Sequence, residues 1–291
     1  MLSILKSARL VCVVALLACA GSVFSATTVV ASIKPLQLLA AAITDGISVP
    51  KVVLAPGQDP HHMALRPSDR QALNDAGLVL WVGPALELPL EKVIAQSKGK
   101  VITAQSLASM VVAGSGSAID PHLWLDSRNA RVIAKAVTDS LSQLDAANAV
   151  RYNTNMQKLL ASLDAADAEL AREFAAVKSV PWAVSHQAFR YVVQQRQLQE
   201  PIALTDSNNT SASVQRVLDL RKRMDEKKVS CLISEPSDNR QQLDALIENK
   251  RVTIAFADTL GSSIDVAADG YPSMLREVSK AIYNCMGGRH E

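Results

Sequence analysis

The tripeptide Asp-Pro-His occurs twice in this chain, as Asp59-Pro60-His61 and as Asp120-Pro121-His122, although the whole sequence holds only five histidines. Neutral imidazole is the commonest nitrogen ligand for a protein-bound transition metal. Two histidines in matching local sequence, far apart along the chain, suggest two walls of one metal site. His186, in Val184-Ser185-His186-Gln187-Ala188-Phe189, is a third candidate, and Asp258 is a carboxylate candidate. Three neutral nitrogens and one carboxylate suit zinc by hardness and by tetrahedral geometry. Singly, each residue has an ordinary reading. His61 beside His62 could be an exposed loop, His122 a hydrogen-bonded core histidine, His186 a strand-end residue and Asp258 the cap of a turn before Gly261. Together they point to metal. His290 is read as solvated tail.

These residues need elements to position them. Thr27 to Ile33 is a β-branched run stopped by Lys34-Pro35, and Leu36 to Ile43 reads as a helix. Val52 to Leu54 is strand-like and runs into the loop bearing His61 and His62. Ser68-Asp69 can cap a helix ending near Gly77, and Leu78 to Val82 is again a strand. Asp126 to Leu144 and Ala147 to Val177 read as helices. The second has apolar positions Tyr152, Met156, Leu159, Leu163, Leu170, Phe174 and Val177 at helical spacing. Beyond it, strands at Pro181–Ser185, Ile202–Leu204, Val229–Ile233 and Val252–Phe256 alternate with helices, and a last helix runs through Cys285. The alternation implies an α/β fold of two Rossmann-like lobes, each with a parallel sheet, joined by the long helix. The lobes are expected at residues 26–145 and 179–291, with the connector at 146–178. His61, His186 and Asp258 then follow strand ends, where ligands collect in open α/β sheets. His122 lies in the loop entering a helix.

Bulk properties narrow the function classes. A chain of 291 residues with 48% hydrophobic content can fill two cores. Residues 1–25 read as an export signal, with Lys6 and Arg9, an apolar run from Leu10 to Leu17, and Val23 and Ser25 before the cleavage point. This places the mature protein in the periplasm. The alternative is lipid attachment at Cys19, in Leu16-Leu17-Ala18-Cys19. Loss of Lys6 and Arg9 takes the formal charge from +2 to 0. A neutral protein with 4% aromatics has no footprint for nucleic acid. Cys231 and Cys285 remain as an even pair, which in an oxidising compartment suggests a disulfide, with two buried thiols as the alternative.

The chain resembles the periplasmic metal-binding proteins of ABC importers, specifically the zinc-binding ZnuA type. The resemblance covers essentially the whole mature chain. It is carried by Ala31-Ser32-Ile33-Lys34-Pro35, by Pro60-His61-His62-Met63-Ala64-Leu65-Arg66-Pro67-Ser68-Asp69, and by Asp120-Pro121-His122-Leu123-Trp124-Leu125-Asp126. It continues in His186-Gln187-Ala188-Phe189, Ser234-Glu235-Pro236 and Asp258-Thr259-Leu260-Gly261. The resemblance implies two lobes joined by one long helix with the metal between them, and His61, His122 and His186 as ligands in that order. Asp258 matches the fourth position, which zinc members sometimes leave to water or another acid. Manganese-carrying relatives usually have Glu at the position of His186, so histidine leans towards Zn(2+) as the transported ligand. A manganese or iron carrier, a zinc hydrolase and an adhesin on the same fold are the alternatives. The implied role is not enzymatic. It is capture by a monomer and delivery to an inner-membrane ABC permease with its cytoplasmic ATPase.

Zinc members often carry a His- and acid-rich loop before the second ligand, whereas residues 104–119 here contain no histidine. Asp59 and His62 are candidates for supporting roles beside the ligands. His62 is expected to point away from His61, because neighbouring side chains in extended backbone face opposite ways. Proton competition for three imidazoles is expected to weaken zinc binding as pH falls through about 6 to 5.

Overall fold

The computed structural model describes residues 26–55, 57–114, 119–207 and 213–288. The expected export signal, with Cys12 and Cys19, and the tail residue His290 lie outside them. No helix among the described residues is long and apolar enough to cross a membrane.

The first half builds a sheet from β1 (Val29–Ala31), β2 (Lys51–Val52), β3 (Leu78–Trp81) and β4 (Lys100–Thr103). The second builds another from β5 (Trp182–His186), β6 (Ile202–Thr205), β7 (Cys231–Ser234) and β8 (Thr253–Phe256). Both sheets are wholly parallel, in the orders β2-β1-β3-β4 and β6-β5-β7-β8, so the two halves share one topology. In each, the chain reverses its direction of growth between the two central strands. A crevice therefore opens between β1 and β3, and between β5 and β7, at the carboxyl edge.

Helices cover both faces of each sheet, as parallel strands require. They are α1 (Lys34–Ile43), α2 (Pro67–Asp75), α3 (Pro84–Glu87), α4 (Glu91–Ile94) and α5 (Ser127–Leu144) on the first half. The long α6 (Ala149–Ala175) follows, then α7 (Arg190–Arg196), α8 (Val214–Glu226), α9 (Arg240–Ile247) and α10 (Gly270–Cys285). At 1.5 Å per residue, the 27 residues of α6 span about 40 Å. Its face of Tyr152, Leu159, Leu163, Leu170 and Phe174 is buried, as the spacing predicts.

Strand alternation divides the core. Val29 and Ala31 face inward, while Val30 faces an outer cluster with Leu73, Val79 and Ile94. Ala183, Leu204, Leu220, Leu232 and Leu246 form the matching outer cluster of the second sheet. The inner faces of both sheets share one continuous core through α1, α5, α6 and α10.

The terminal helix α10, which carries Cys285, is expected to pack on the sheet that carries Cys231. The structure packs it on α1 and α6 as well as on β7 and β8. Gly270 allows this, because a Cβ there would lie 2.9 Å from Leu38 Cδ2 and 2.7 Å from the Asp265 carbonyl. Asp167 on α6 accepts from Ser127 Oγ at 2.6 Å and pairs with Arg131 at 2.9 Å and Arg196 at 2.7 Å, tying α5, α6 and α7 together. Cys231 of β7 and Cys285 of α10 are joined in a disulfide, with Cα atoms 5.3 Å apart.

Candidate metal centre

Two pieces of irregular backbone and one strand end converge between the sheets. Pro60–His62 is a 3-10 turn opened by Asp59, whose Oδ1 accepts from the His61 amide at 2.8 Å. Asp120 opens the second Asp-Pro-His in the same way and accepts from the His122 amide at 3.1 Å. His122 precedes a short turn at Leu123–Leu125, and His186 is the last residue of β5. The potential ligand atoms of His61, His122 and His186 all lie within 4.8 Å of one another.

The two tripeptides part company at the side chains. Asp120 Oδ1 also accepts from His122 Nδ1 at 2.9 Å, and both groups are almost fully buried. That bond holds the proton on Nδ1 and leaves the Nε2 lone pair facing the cavity, the arrangement that orients metal-ligating histidines. Asp59 instead takes Nδ1 of His62 at 2.9 Å, and the His62 side chain is 70% exposed. His61 Nε2 is buried without any hydrogen-bond partner among the described residues. The expected divergence of His61 and His62 holds, but its cause is different. In a 3-10 turn successive side chains rotate by about 120° around the axis, rather than alternating as in a strand.

Nε2 of His186 lies 3.0 Å from Nε2 of His122, and the His186 ring also hydrogen-bonds the Asp206 backbone. Ring centroids are 4.9 Å apart for His122 and His186, 5.3 Å for His61 and His122, and 5.4 Å for His61 and His186. Two nitrogens bound to one tetrahedral zinc at about 2.0–2.1 Å stand about 3.3 Å apart. Converging lone pairs repel without a shared proton or a cation, so the donor set and the orphaned His61 nitrogen both fit a metal.

Burial, then repulsion from His122, lowers the His61 pKa to about 4. Burial, with repulsion from His122 and His61, lowers that of His186 to about 2. Both shifts point to a lower pH window than ordinary imidazoles would give. An imidazole near 6.5 is about 97% protonated at pH 5, whereas one near 4 is only about one-tenth protonated. His61 and His186 should therefore remain neutral at pH 5 in metal-free protein, taking up protons only near and below pH 4. Imidazole ¹⁵N shifts followed from pH 8 to 4 check this, and a His61 ring midpoint near 6.5 would contradict the geometry. Proton competition at these two ligands accordingly begins well below pH 6.

A cavity of about 50 Å³ adjoins the histidines, and its wall includes Asp59, Trp124, Glu235, Asp258 and Thr259. Trp124 stacks against His122 with centroids 5.2 Å apart and donates through Nε1 to the Thr259 carbonyl at 2.8 Å. The second-ligand loop of the first half is thus clamped to the β8 loop of the second. Asp258 lines the cavity, but its carboxylate accepts from the amides of Leu260 at 3.2 Å and Ser262 at 2.6 Å. It lies outside the three-histidine group. Glu235, directly after β7, is a further wall residue, beyond the four ligand candidates of the sequence. Its signal was available, as an acid immediately following a buried strand.

A pair of parallel-sheet lobes closing three imidazoles on one point defines a two-lobed metal-binding protein. The chain belongs to the ZnuA family, zinc-uptake complex component A, periplasmic, whose model matches residues 29–285. It is 28% identical to the high-affinity zinc uptake system protein ZnuA of Yersinia pestis, covering 90% of this chain and 92% of that one. It is 23% identical to the protein of the same name from Brucella abortus (strain 2308), covering 89% and 91%. The fold matches the periplasmic zinc binding protein TroA from Treponema pallidum with a TM-score of 0.79, at 22% identity over 90% of this chain and 99% of that one.

Proposed function

We propose that this protein captures one Zn(2+) between its lobes on His61, His122 and His186 and delivers it to an inner-membrane ABC permease. The observation that carries the reading is the convergence of two buried imidazoles and a half-buried one, whose Nε2 is orphaned among the described residues, beside a cavity lined by carboxylates. An all-nitrogen trio of this kind suits zinc better than manganese, which prefers oxygen. The names of the Yersinia pestis and Brucella abortus relatives, with the family description, support zinc uptake as the process. The fourth position falls to the wall that carries Asp258 and Glu235. A permease with a cytoplasmic ATPase is the partner, and the protein acts as a monomer in the periplasm without catalysing a reaction.

Elemental analysis of untagged protein purified from the periplasm tests this reading. About one equivalent of zinc is expected. One equivalent of manganese or iron in its place would overturn it.

A further inference from the structure

Each sheet has one crevice at its topological switch point, and an acid occupies both, under different conditions. In the first half the acid is Glu87. Its Oε1 accepts from Ser32 Oγ after β1, and its Oε2 accepts the amides of Val82 and Gly83 after β3, each at 3.0 Å. That crevice is closed by the chain's own carboxyl group. In the second half the crevice between β5 and β7 is bounded by His186 and Glu235, and Glu235 opens onto the metal cavity.

The Glu235 loop is firmly built. Asp238 Oδ2 accepts from the Glu235 amide at 2.7 Å, Ser234 Oγ at 2.7 Å and Ser185 Oγ at 2.5 Å. Glu235 Oε1 accepts from the Thr259 hydroxyl, while Oε2 accepts no hydrogen bond among the described residues. No lysine or arginine pairs with Glu235 among the described residues. Burial pushes its carboxyl up to about 7, against the opposing hydrogen bond from Thr259 and then the pull of His122. A half-buried acid with one oxygen unbonded among the described residues and no cationic partner turns negative charge towards the cavity, where a cation would be stabilised. Asp258, by contrast, already has its carboxylate in the turn of Leu260 and Ser262.

We propose that Glu235 is the carboxylate serving the fourth coordination position, accepting through Oε2 a hydrogen bond from one metal-bound water. The proposal deepens the zinc reading above and rests on it. Glu235 lies outside the tight histidine group, so a water must bridge the gap, and the cavity of about 50 Å³ has room for one. Glu235 is then a positioning residue, and the water completes a three-nitrogen, one-oxygen site.

Wild type, Glu235→Gln, Asp258→Asn and His122→Ala should be titrated with zinc against a competing chelator, and with Co(II) by visible absorption. Glu235→Gln keeps the shape and the acceptor for Thr259 but removes the charge. It should weaken zinc about 10- to 100-fold, the range for partners of metal-bound groups, and shift the Co(II) bands. Asp258→Asn should leave the bands in place, because its carboxylate is already held by the Leu260 and Ser262 amides, and should weaken zinc less than Glu235→Gln does. Wild-type affinity and bands in Glu235→Gln, or the shift appearing in Asp258→Asn instead, would overturn the proposal. If Glu235→Gln does not fold, Thr259→Val, which unfastens the carboxylate, should move the bands in the same direction; unchanged bands there would overturn it equally. Zinc binding by wild type and its loss in His122→Ala keep the parent reading separate, because they stand or fall without Glu235.

Discussion

Replacing His61 with alanine is expected to weaken zinc binding by more than about 100-fold, whereas the same change at His62 should cost less than about threefold. Loss of a group that merely orients a ligand costs 10- to 100-fold, so loss of a ligand itself should exceed that. The His61 residue is half-buried, its Nε2 is buried with no hydrogen-bond partner among the described residues, and its ring lies 5.3–5.4 Å from the other two imidazoles. The His62 side chain is 70% exposed and bonded through Nδ1 to Asp59. Chelator competition with the two single mutants decides the matter. Equal losses, or a larger loss at His62, would show that the turn can present either ring to the metal.

The second large effect concerns stability. Serine at both Cys231 and Cys285 should lower unfolding free energy by about 4 kcal/mol, the chain-entropy value for their 54-residue separation. For a chain of this size each kcal/mol corresponds to about 2–4 °C, so the melting temperature should drop by about 8–16 °C. Calorimetry of the double mutant against wild type measures it. The bond fastens α10, which also packs on α1 and α6, so its removal loosens an element that both sheets depend on. A drop under 3 °C would mean that packing alone holds the helix.

Much of this was legible in the residues because hydrophobic period and strand-end position are local signals. The buried stripe of α6 from Tyr152 to Phe174 follows from spacing alone. So do the β-branched and aliphatic runs that become β1, β3, β5 and β7. β4 was not read. Lys100 is exposed, Val101 and Thr103 are half-buried, and only Ile102 is deep, the pattern of an edge strand with little apolar signal. The packing of α10 against α1 was also invisible, because periodicity marks a buried face without naming what covers it.

The three histidines were legible through the repeated Asp-Pro-His, whose short loops stand where strands end. The different tasks of the two aspartates were not. Asp120 steadies its own tripeptide's histidine and Asp59 steadies the next residue, a distinction set by turn geometry and burial. Asp258 illustrates the same limit. Its place beside the cavity was expected, but the amides that hold its carboxylate come from residues two and four positions on, in a turn only the folded backbone reveals. Glu235 is visible as an acid directly after a buried strand, but the groups around it, Thr259, Asp238 and the cavity wall, come together only in the fold.

The continuous core has a consequence for how this molecule could be taken apart. Its two sheets repeat one topology, which invites dissection into two modules. Yet α10, from the very end of the chain, lies against α1, near its beginning, at a contact so close that Gly270 has no room for a methyl group. A first half cut away before α6 would expose the inner faces of β1 and α1, and a second half alone would carry α10 with one side bare. The symmetry is therefore one of shape and not of autonomy. The two halves are therefore expected to unfold together, in one calorimetric transition.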